Sequence, residues 1–390
     1  MSSALMSNYQ PLSIEFTKGS GAWLTDAQGE RYLDALSGIA VCGLGHAHPS
    51  VQEAIADQAA KLIHTSNLYR IPLQEKLAEK LVQHSAMEKV FFGNSGAEAN
   101  EAAIKLARLY ASNKKISDPV IVVMDKSFHG RTMATLSATG NAKVHKGFDP
   151  LVEGFKHIPY NDVDALNALA NEDLNIVAVM VEPILGEGGV VIPAAGYLKA
   201  VRRFCDQHDC LMMVDEIQTG MCRTGKWFAF QHEDVLPDVM TLAKALGNGV
   251  PIGACLAKGE AANLFQPGNH GSTFGGNPLA SRAALAVIKT LEEENLAQRA
   301  EVLGNRLLDG FKQALKGVQG IKEIRGIGLM LGIELDNDAP DLVALALKEK
   351  LLINVTAGNV IRLLPVLVMS DSEADQIVST LSKLLKAYLD

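Results

Sequence analysis

The sequence that decides the fold is residues 211–244, LMMVDEIQTGMCRTGKWFAFQHEDVLPDVMTLAK. It contains two short apolar segments, residues 211–214 and residues 239–242, and a charged side chain follows each, Asp215 and then Lys244. Apolar runs of this length are typical of strands that are covered on both faces. A parallel sheet brings the ends of such strands to one edge, where α/β proteins bind their ligands. Asp215 and Lys244 are therefore candidates for a shared site.

Apolar runs of the same kind recur through the middle of the chain, at residues 90–92, 120–124, 176–181 and 252–256. Amphipathic segments lie between them, and both residues 97–110 and residues 197–208 carry apolar side chains at helical spacing. Alternation of strands and helices predicts an α/β fold with a mainly parallel central sheet.

The two ends of the chain have a different pattern. Residues 278–315 read as almost wholly helical, and strand-like and helical segments follow them. Near the start, residues 23–34 look like a β-hairpin, which is unstable alone and should pack on the C-terminal unit. We therefore expect a smaller α+β domain built from both termini. The predicted division is an N-terminal segment, 1–45, that joins the small domain, a large cofactor-binding domain, 46–274, and a C-terminal small domain, 275–390.

The composition limits the classes of protein to which the chain can belong. Of its 390 residues 48% are hydrophobic and 21% charged, and the net charge is −8, which is the balance of a soluble globular protein. There is no basic field for nucleic acid and no apolar run of about 20 residues for a membrane span. Five cysteines without a CxxC motif indicate free thiols in a reducing compartment, and no signal peptide is apparent, so we expect a cytoplasmic protein.

Three motifs are judged misleading. Residues 220–226 fit GxxxxGK, but Trp227 stands where a phosphate-binding loop needs a hydroxyl for Mg²⁺, so a glycine-rich turn is the better interpretation. The glycines of residues 326–332 indicate close packing in a strand. His46 and His48 have no carboxylate or cysteine at ligand spacing, and no metal site is predicted.

Two segments invite two interpretations each. In residues 94–98, NSGAE, Ser95 and Glu98 predict a capping box, while the glycine and the free N–H groups of a helix start also favour a bound phosphate. Residues 271–278, GSTFGGNP, are compatible with a phosphate-binding site, a subunit contact or a plain helix start.

The two charged residues of the opening stretch are equally ambiguous when each is taken alone. Asp215 is either a helix cap or turn residue, or an acid at the ligand-binding edge. Lys244 either extends to solvent or is held in a pocket, where desolvation lowers the pKa of an amine and makes it a usable nucleophile.

Together these segments describe a pocket for pyridoxal phosphate. This cofactor needs an amine for its aldehyde, an anion for its pyridine nitrogen, a phosphate cradle and an apolar surface against its ring. Residues of the right type are, in that order, Lys244, Asp215, Gly96 with Ala97, and Phe128.

The chain resembles the class III pyridoxal-phosphate aminotransferases of fold type I, most closely their acetylornithine/succinyl-diaminopimelate group. The resemblance rests on residues 45–49, 94–108, 128–131, 181–183, 186–187, 215–223, 242–244, 271–278 and 325–329. It implies a large domain with a mainly parallel sheet, a smaller α+β domain and a homodimer with shared active sites.

The resemblance also implies a role for each cofactor-binding residue. Lys244 would bind the cofactor aldehyde as an imine and then shuttle the proton, and Asp215 would pair with the pyridine nitrogen. The remaining contacts would be Gln218 to the ring oxygen, Phe128 to the ring face, Ser95, Gly96 and Ala97 to the phosphate, and Thr273 to the phosphate from the second subunit.

Substrate contacts follow from the same resemblance. Arg131 would bind the carboxylate far from the reacting nitrogen, and Ser272 would contact the acylated amino acid. Arg362 would take the α-carboxylate of glutamate or 2-oxoglutarate, with Glu187 as its removable partner. Without the resemblance, Arg131 and Arg362 would be interpreted as members of ordinary surface ion pairs.

The implied activity is N²-acetylornithine:2-oxoglutarate 5-aminotransferase of arginine biosynthesis, working by a ping-pong mechanism. Ile39 stands where ornithine-type relatives carry an aromatic residue, which favours acetylornithine or 4-aminobutyrate as the amino donor. Cys42 and Gly43 depart from the family pattern. The alternatives are a succinyl-diaminopimelate, 4-aminobutyrate or ornithine aminotransferase, or a pyridoxal-phosphate-binding regulator without turnover.

Overall fold

A seven-stranded sheet forms the centre of the protein, in a computed structural model that describes residues 4–390. Its strands in spatial order are β4 (Lys89–Gly93), β10 (Gly253–Ala257), β9 (Val239–Leu242), β8 (Leu211–Asp215), β7 (Asn175–Val181), β5 (Pro119–Met124) and β6 (Phe155–Ile158). From β9 to β6 every neighbouring pair is parallel, whereas β10 is antiparallel to both β4 and β9. The predicted mainly parallel α/β sheet is confirmed.

The apolar strands of this sheet are buried because helices cover both faces. On β8, Leu211 and Met213 join an apolar cluster with α4 (Gly96–Asn113). Met212 and Val214 point the other way and join a cluster with α8 (Tyr197–Gln207). Alternate residues of one strand therefore serve two cores, which is why the strand is apolar throughout.

Two smaller sheets are built from N-terminal and C-terminal strands. The first orders β1 (Phe16–Ser20), β2 (Trp23–Asp26), β3 (Arg31–Asp34) and β13 (Leu351–Leu352); the second orders β11 (Ile321–Ile327), β12 (Met330–Leu335), β15 (Val360–Leu363) and β14 (Asn354–Thr356). Leu33 of the predicted hairpin pairs in parallel with Leu351, and the indole of Trp23 donates a hydrogen bond of 2.6 Å to Glu373. The hairpin is thus attached to the C-terminal part of the chain, while the domain limits at 45/46 and 274/275 stay a prediction.

The other helices are α1 (Ser37–Ala40, an irregular turn), α2 (Pro49–Ala59), α3 (Pro72–Ser85), α5 (Met133–Ala138), α6 (Ala142–His145), α7 (Val163–Ala168), α9 (Pro278–Glu293), α10 (Leu296–Ala314), α11 (Leu342–Lys348) and α12 (Asp371–Leu389). The helical pattern of residues 278–315 is two helices, because Asn295 between α9 and α10 adopts a left-handed conformation, φ 49°. Within residues 4–390 no helix combines the length and the apolar character that crossing a bilayer requires.

Gly304 is where α10 meets the turn between β11 and β12. A Cβ at Gly304 would lie 2.1 Å from the carbonyl oxygen of Gly328. A Cβ at Gly310 of the same helix would meet only the side chain of Val378, at 3.1 Å. The first contact involves backbone that cannot rotate away, so the two glycines should differ in their tolerance of alanine.

We predict that Gly304→Ala lowers the free energy of unfolding by about 2 kcal/mol, the typical cost of overpacking. Gly310→Ala is the matched control and should change it by less than about 1 kcal/mol, since alanine also favours the helix. Urea unfolding followed by circular dichroism measures both. Equal effects of the two substitutions would contradict this packing account.

Candidate active site

A cavity of about 390 Å³ lies at one edge of the central sheet. The residues that follow the carboxyl ends of β4, β5, β7, β8 and β9 all contribute to its wall, and residues just before β10 complete it. Its lining residues are Val41, Asn94, Ser95, Gly96, Ala97, Phe128, His129, Gly130, Arg131, Glu182, Glu187, Asp215, Ile217, Gln218, Ala243, Lys244, Gly249, Val250, Pro251 and Ile252. Its size is that of a small-molecule site.

Most of the residues singled out from the sequence meet in this wall. Four do not line it. Arg362 lies behind Glu187 and Gln218, to which it donates hydrogen bonds. Ser272 and Thr273 line a neighbouring cavity that shares Asn94 with the first.

Ile39 is the fourth residue outside the wall. It packs against the apolar cluster of Ile184 and Val190, whereas Val41, two residues later, lines the cavity. The predicted contact between Ile39 and substrate therefore stays a prediction.

Lys244 has an amine without a partner. Its half-buried side chain lines the cavity and makes no hydrogen bond or ion pair with any residue that the structure describes. Burial lowers the pKa of this amine and the nearby Arg362 lowers it further, while Glu187 and Asp215 oppose the shift. The backbone of Lys244 is left-handed, φ 44°, a strained conformation that is concentrated at functional sites. Of the two interpretations of this lysine, the structure supports the pocket.

Asp215 is buried, and hydrogen bonds hold both of its carboxylate oxygens. Oδ2 accepts the side-chain N–H of Asn100 at 2.8 Å and lies 2.8 Å from Nδ1 of His129. Oδ1 accepts only the backbone N–H of Ile217, at 3.0 Å. A turn after β8 would account only for the contact with Ile217. The other two orient the carboxylate in the cavity wall.

The start of α4 contains only half of the predicted capping box. The Ser95 hydroxyl accepts the N–H of Glu98 at 3.1 Å as expected. The Glu98 carboxylate does not return to Ser95 but accepts the backbone and side-chain N–H groups of Asn94, at 2.7 and 2.8 Å. The reciprocal half of the box was wrong, because Asn94 offers two donors. The N–H groups of Gly96 and Ala97 have no carbonyl partner among the residues that the structure describes, as the first turn of a helix dictates, and both residues line the cavity.

Glycine at position 96 has a reason that the sequence did not reveal. An added Cβ would lie 2.8 Å from Cδ1 of Ile217. The residue is small so that Ile217 can pack against the helix start and line the cavity.

Arg362 and Glu187 form an ion pair of 2.6 Å beside the cavity. The arginine is fully buried, so it is not an ordinary surface pair. Its Nη1 also contacts Oε1 of Gln218 at 3.2 Å, its Nε contacts Asn354 at 3.1 Å, and its Nη2 is buried without a partner among residues 4–390. Glu187 is the more exposed member of the pair, at 36% against 0% for Arg362.

Arg131 does not belong to an ordinary ion pair either. It is exposed, its guanidinium lies 5.7 Å from the ring centre of Phe128, and no carboxylate among residues 4–390 pairs with it. A cation at the mouth of a cavity without its own counter-ion is available to an anionic ligand.

Glu182 also lines the cavity, although it is not among the residues predicted from the sequence. It directly follows β7, and Asp215 is the last residue of β8, so the same strand-end rule could have identified it. Its carboxyl accepts the N–H groups of Phe128 at 3.0 Å and Gly186 at 3.4 Å. Burial, reinforced by Asp215, raises its pKa to about 7.

The motifs judged misleading have structural explanations. The Gly220–Lys226 turn buries Arg223, which donates to the carbonyl oxygens of Leu329 and Pro365. His46 pairs with Asp34 at 2.8 Å. Across the part of the chain that the structure describes, no group of three or more His, Cys, Asp or Glu side chains is arranged to hold a metal ion.

The class-III aminotransferase family model matches residues 4–385. Acetylornithine aminotransferase of Nitrosomonas europaea is 55% identical over 388 residues, 100% of this chain and 99% of that relative. Acetylornithine aminotransferase 1 of Bordetella parapertussis is 52% identical over 389 residues, again 100% and 99% of the two chains.

Solved structures agree with these sequence relatives. The ornithine aminotransferase of Toxoplasma gondii superimposes with a TM-score of 0.95 at 37% identity, over 99% of this chain and 93% of that one. The acetylornithine aminotransferase of Elizabethkingia anophelis superimposes with a TM-score of 0.88 at 39% identity, over 97% of this chain and 95% of that one. The chain belongs to the class-III aminotransferase family, and it is a pyridoxal-phosphate-dependent aminotransferase.

The cavity fits this cofactor. It combines an amine without a partner, a carboxylate with a lightly bonded oxygen, free N–H groups at a helix start, and the aromatic and aliphatic side chains of Phe128 and Ile217. Nε2 of Gln218 makes no hydrogen bond within the described part of the chain and can donate one to the ring oxygen.

Glu216, next to Asp215, faces the core instead of the cavity. It accepts the Thr219 hydroxyl at 2.5 Å and the N–H of Phe230 at 2.8 Å. Burial raises its pKa from 4.5 to about 7. Since the folded protein then holds a proton that the unfolded chain releases above pH 4.5, the contribution of Glu216 to stability falls as the pH rises from about 4.5 to 7.

We predict that Glu216→Gln removes this pH dependence, because glutamine resembles the protonated acid and the Thr219 hydroxyl can reverse. Between pH 5 and pH 8 the free energy of unfolding should fall by about 2 kcal/mol more in wild type than in the variant. Thermal and urea unfolding across this range measure the difference. Glu53→Gln, at an exposed position of α2, is the control and should follow wild type. Parallel pH profiles of Glu216→Gln and wild type would contradict the assignment.

Proposed function

We propose that the protein transfers the δ-amino group of N²-acetylornithine to 2-oxoglutarate, in the arginine-biosynthesis step that yields N-acetylglutamate 5-semialdehyde and glutamate. The observation that carries the proposal is the partnerless amine of Lys244 in one cavity with the oriented carboxylate of Asp215. The choice of acetylornithine is supported by relatives of that name, 55% and 52% identical over the whole chain.

The cofactor, when bound, supplies an aldehyde for the amino group and a protonated pyridine ring that withdraws the electron pair of a breaking C–H bond. Lys244 carries the cofactor between turnovers. During turnover its Nζ would remove the proton from the carbon that bears the reacting amino group and deliver it to the aldehyde-derived carbon of the cofactor, and the second half-reaction would reverse this transfer with 2-oxoglutarate. The lowered pKa of this amine favours the unprotonated form that a base requires.

The remaining residues of the wall hold the cofactor. Asp215 pairs with the pyridine nitrogen through Oδ1, and Gln218 donates from Nε2 to the ring oxygen. Phe128 and Ile217 would pack against the ring. The phosphate takes hydrogen bonds from Ser95, Gly96 and Ala97 at the positive end of α4.

Two arginines bind the two ends of the substrates. Arg131 takes the carboxylate far from the reacting nitrogen of acetylornithine, with Ser272 beside the acyl group and Ile39 as a neighbour of the donor chain. Arg362 takes the α-carboxylate of glutamate or 2-oxoglutarate. Glu187 neutralises Arg362 while acetylornithine is bound and moves away when an α-carboxylate arrives. The half-exposed position of Glu187 supports this movement.

We further propose a homodimer in which Thr273 completes the phosphate site of the partner. Thr273 is exposed and has no hydrogen-bond partner in the described chain. Its neighbour Phe274 is 59% exposed. The ring of Phe274 contacts His64, and Ile63, next to His64 in the chain, is 54% exposed. An apolar surface next to an unpartnered hydroxyl suits a second copy of the chain. The small-molecule substrates and the five free cysteines fit a cytoplasmic enzyme.

The proposed substrate predicts a ranking of amino donors. With 2-oxoglutarate as acceptor, kcat/KM for N²-acetylornithine should exceed that for ornithine and 4-aminobutyrate by at least about 10-fold, since only acetylornithine offers both the Arg131 carboxylate and an acyl group. Coupled assays with the purified protein and succinyl-diaminopimelate as a fourth donor test this. A higher kcat/KM for any of the other three donors would replace acetylornithine by that donor, and no turnover with any would leave a binding protein.

Glu187→Gln should separate the two half-reactions. The variant leaves Arg362 without a counter-charge when acetylornithine is bound, so the single-turnover rate with acetylornithine should fall roughly 10-fold. The rate with glutamate should be unchanged or higher, since no carboxylate has to be displaced. Stopped-flow spectroscopy with each donor measures both rates.

Glu172→Gln is a matched control for this experiment, because Glu172 forms an exposed ion pair with Lys156 away from the cavity. It should leave both rates at the wild-type value. An equal loss in both half-reactions of Glu187→Gln would reject the movable-partner role.

A further inference from the structure

Asn100 is a fully buried amide in the second turn of α4, and the proposed function gives it no role. It does not line the cavity. A buried amide has to satisfy two N–H groups and a carbonyl oxygen, so its hydrogen bonds determine which segments can lie around it.

The amide of Asn100 makes one hydrogen bond to each of three other segments. Its oxygen accepts the hydroxyl of Thr241, on β9, at 2.7 Å. Its nitrogen donates to the backbone oxygen of His129 at 2.7 Å and to Oδ2 of Asp215 at 2.8 Å. All of its donors are used.

These segments are the ones that carry the cofactor-binding side chains. Asn100 lies on the helix whose start offers the free N–H groups. Thr241 precedes Lys244 by three residues, and His129 directly follows Phe128. One side chain therefore connects the phosphate end, the ring face, the pyridine acid and the strand of the reactive amine.

The orientation of the amide is fixed. In the reversed orientation the Asn100 oxygen would face two oxygens, the carbonyl of His129 and the carboxylate of Asp215, and would lose both hydrogen bonds. The Thr241 hydroxyl stabilises the observed orientation by donating to the amide oxygen. Hydrogen bonds of this kind in the interior are costly to break, since a group left without a partner has no water to replace it.

The hydrogen bond from Asn100 affects which oxygen of Asp215 is left for another ligand. Oδ2 is occupied by Asn100 and His129, and Oδ1 keeps only the Ile217 contact. We propose that Asn100, oriented by Thr241, is a positioning residue that holds the Asp215 carboxylate so that Oδ1 meets the pyridine nitrogen. This inference rests on the proposed function only in assigning Asp215 to that nitrogen.

The test compares two ligands for the apoprotein: pyridoxal phosphate, and its 1-deaza analogue, in which a C–H group replaces the ring nitrogen. In Asn100→Asp an oxygen faces Asp215 where wild type has an N–H donor. The affinity for pyridoxal phosphate should fall about 100-fold, and the affinity for the analogue less than about 3-fold. Absorbance and fluorescence titration measure both. A purely structural role would lower both affinities equally, and that result would overturn the proposal.

A matched pair at Thr241 provides the milder test. Thr241→Val keeps the shape but removes the hydroxyl, and it should weaken pyridoxal phosphate about 10-fold with little change for the analogue. Thr241→Ser keeps the hydroxyl and should restore wild-type affinity. Equal affinities for Val and Ser would contradict the orienting role. This pair also decides the matter if the thermal unfolding of apo Asn100→Asp reveals a misfolded protein.

Failure of the inference and failure of the proposed function have different signatures. If wild-type holoenzyme transaminates acetylornithine while all variants bind both ligands as wild type does, the positioning role is wrong and the function stands. If wild-type holoenzyme fails to react with amino donors while the selective loss of affinity is seen, the positioning role stands and the substrate assignment fails.

Discussion

The site depends on an amine and a carboxylate that share one cavity without pairing with each other. An ion pair between Lys244 and Asp215 would cancel both charges, and the described structure contains none. Asp215 instead accepts hydrogen bonds from Asn100 and Ile217 and contacts His129. Burial favours the neutral form of the amine at the same time. Both groups therefore remain available to a third molecule placed between them.

The sheet creates this arrangement. Parallel strands end at one edge, so Asp215 at the end of β8 and Lys244 just after β9 line one cavity, although 28 residues of chain separate them. The same rule explains the Glu182 carboxyl after β7. Because helices cover both faces, the strands are apolar, and the polar side chains at the ends of β7, β8 and β9, namely Glu182, Asp215 and Lys244, lie at the cavity.

The strand-end residues could be predicted from the sequence for this reason, and so could the sheet and its helices. What the sequence alone missed depends on contacts between distant segments. No local pattern distinguishes the antiparallel β10 from its parallel neighbours, and none gives Asn100 its three partners. The ion pair of Arg362 joins β15 to a loop 175 residues earlier. The family resemblance predicted this pair, and the structure shows in addition that Arg362 is fully buried.

Trapping the cofactor on the protein tests the central assignment most directly. Sodium borohydride reduces an imine to a stable amine, so the reduced holoenzyme can be digested and its peptides weighed by mass spectrometry. The account predicts a phosphopyridoxyl group on the peptide that contains Lys244, at one group per chain. Attachment to any other lysine, or a protein that carries no label after reduction, would contradict it.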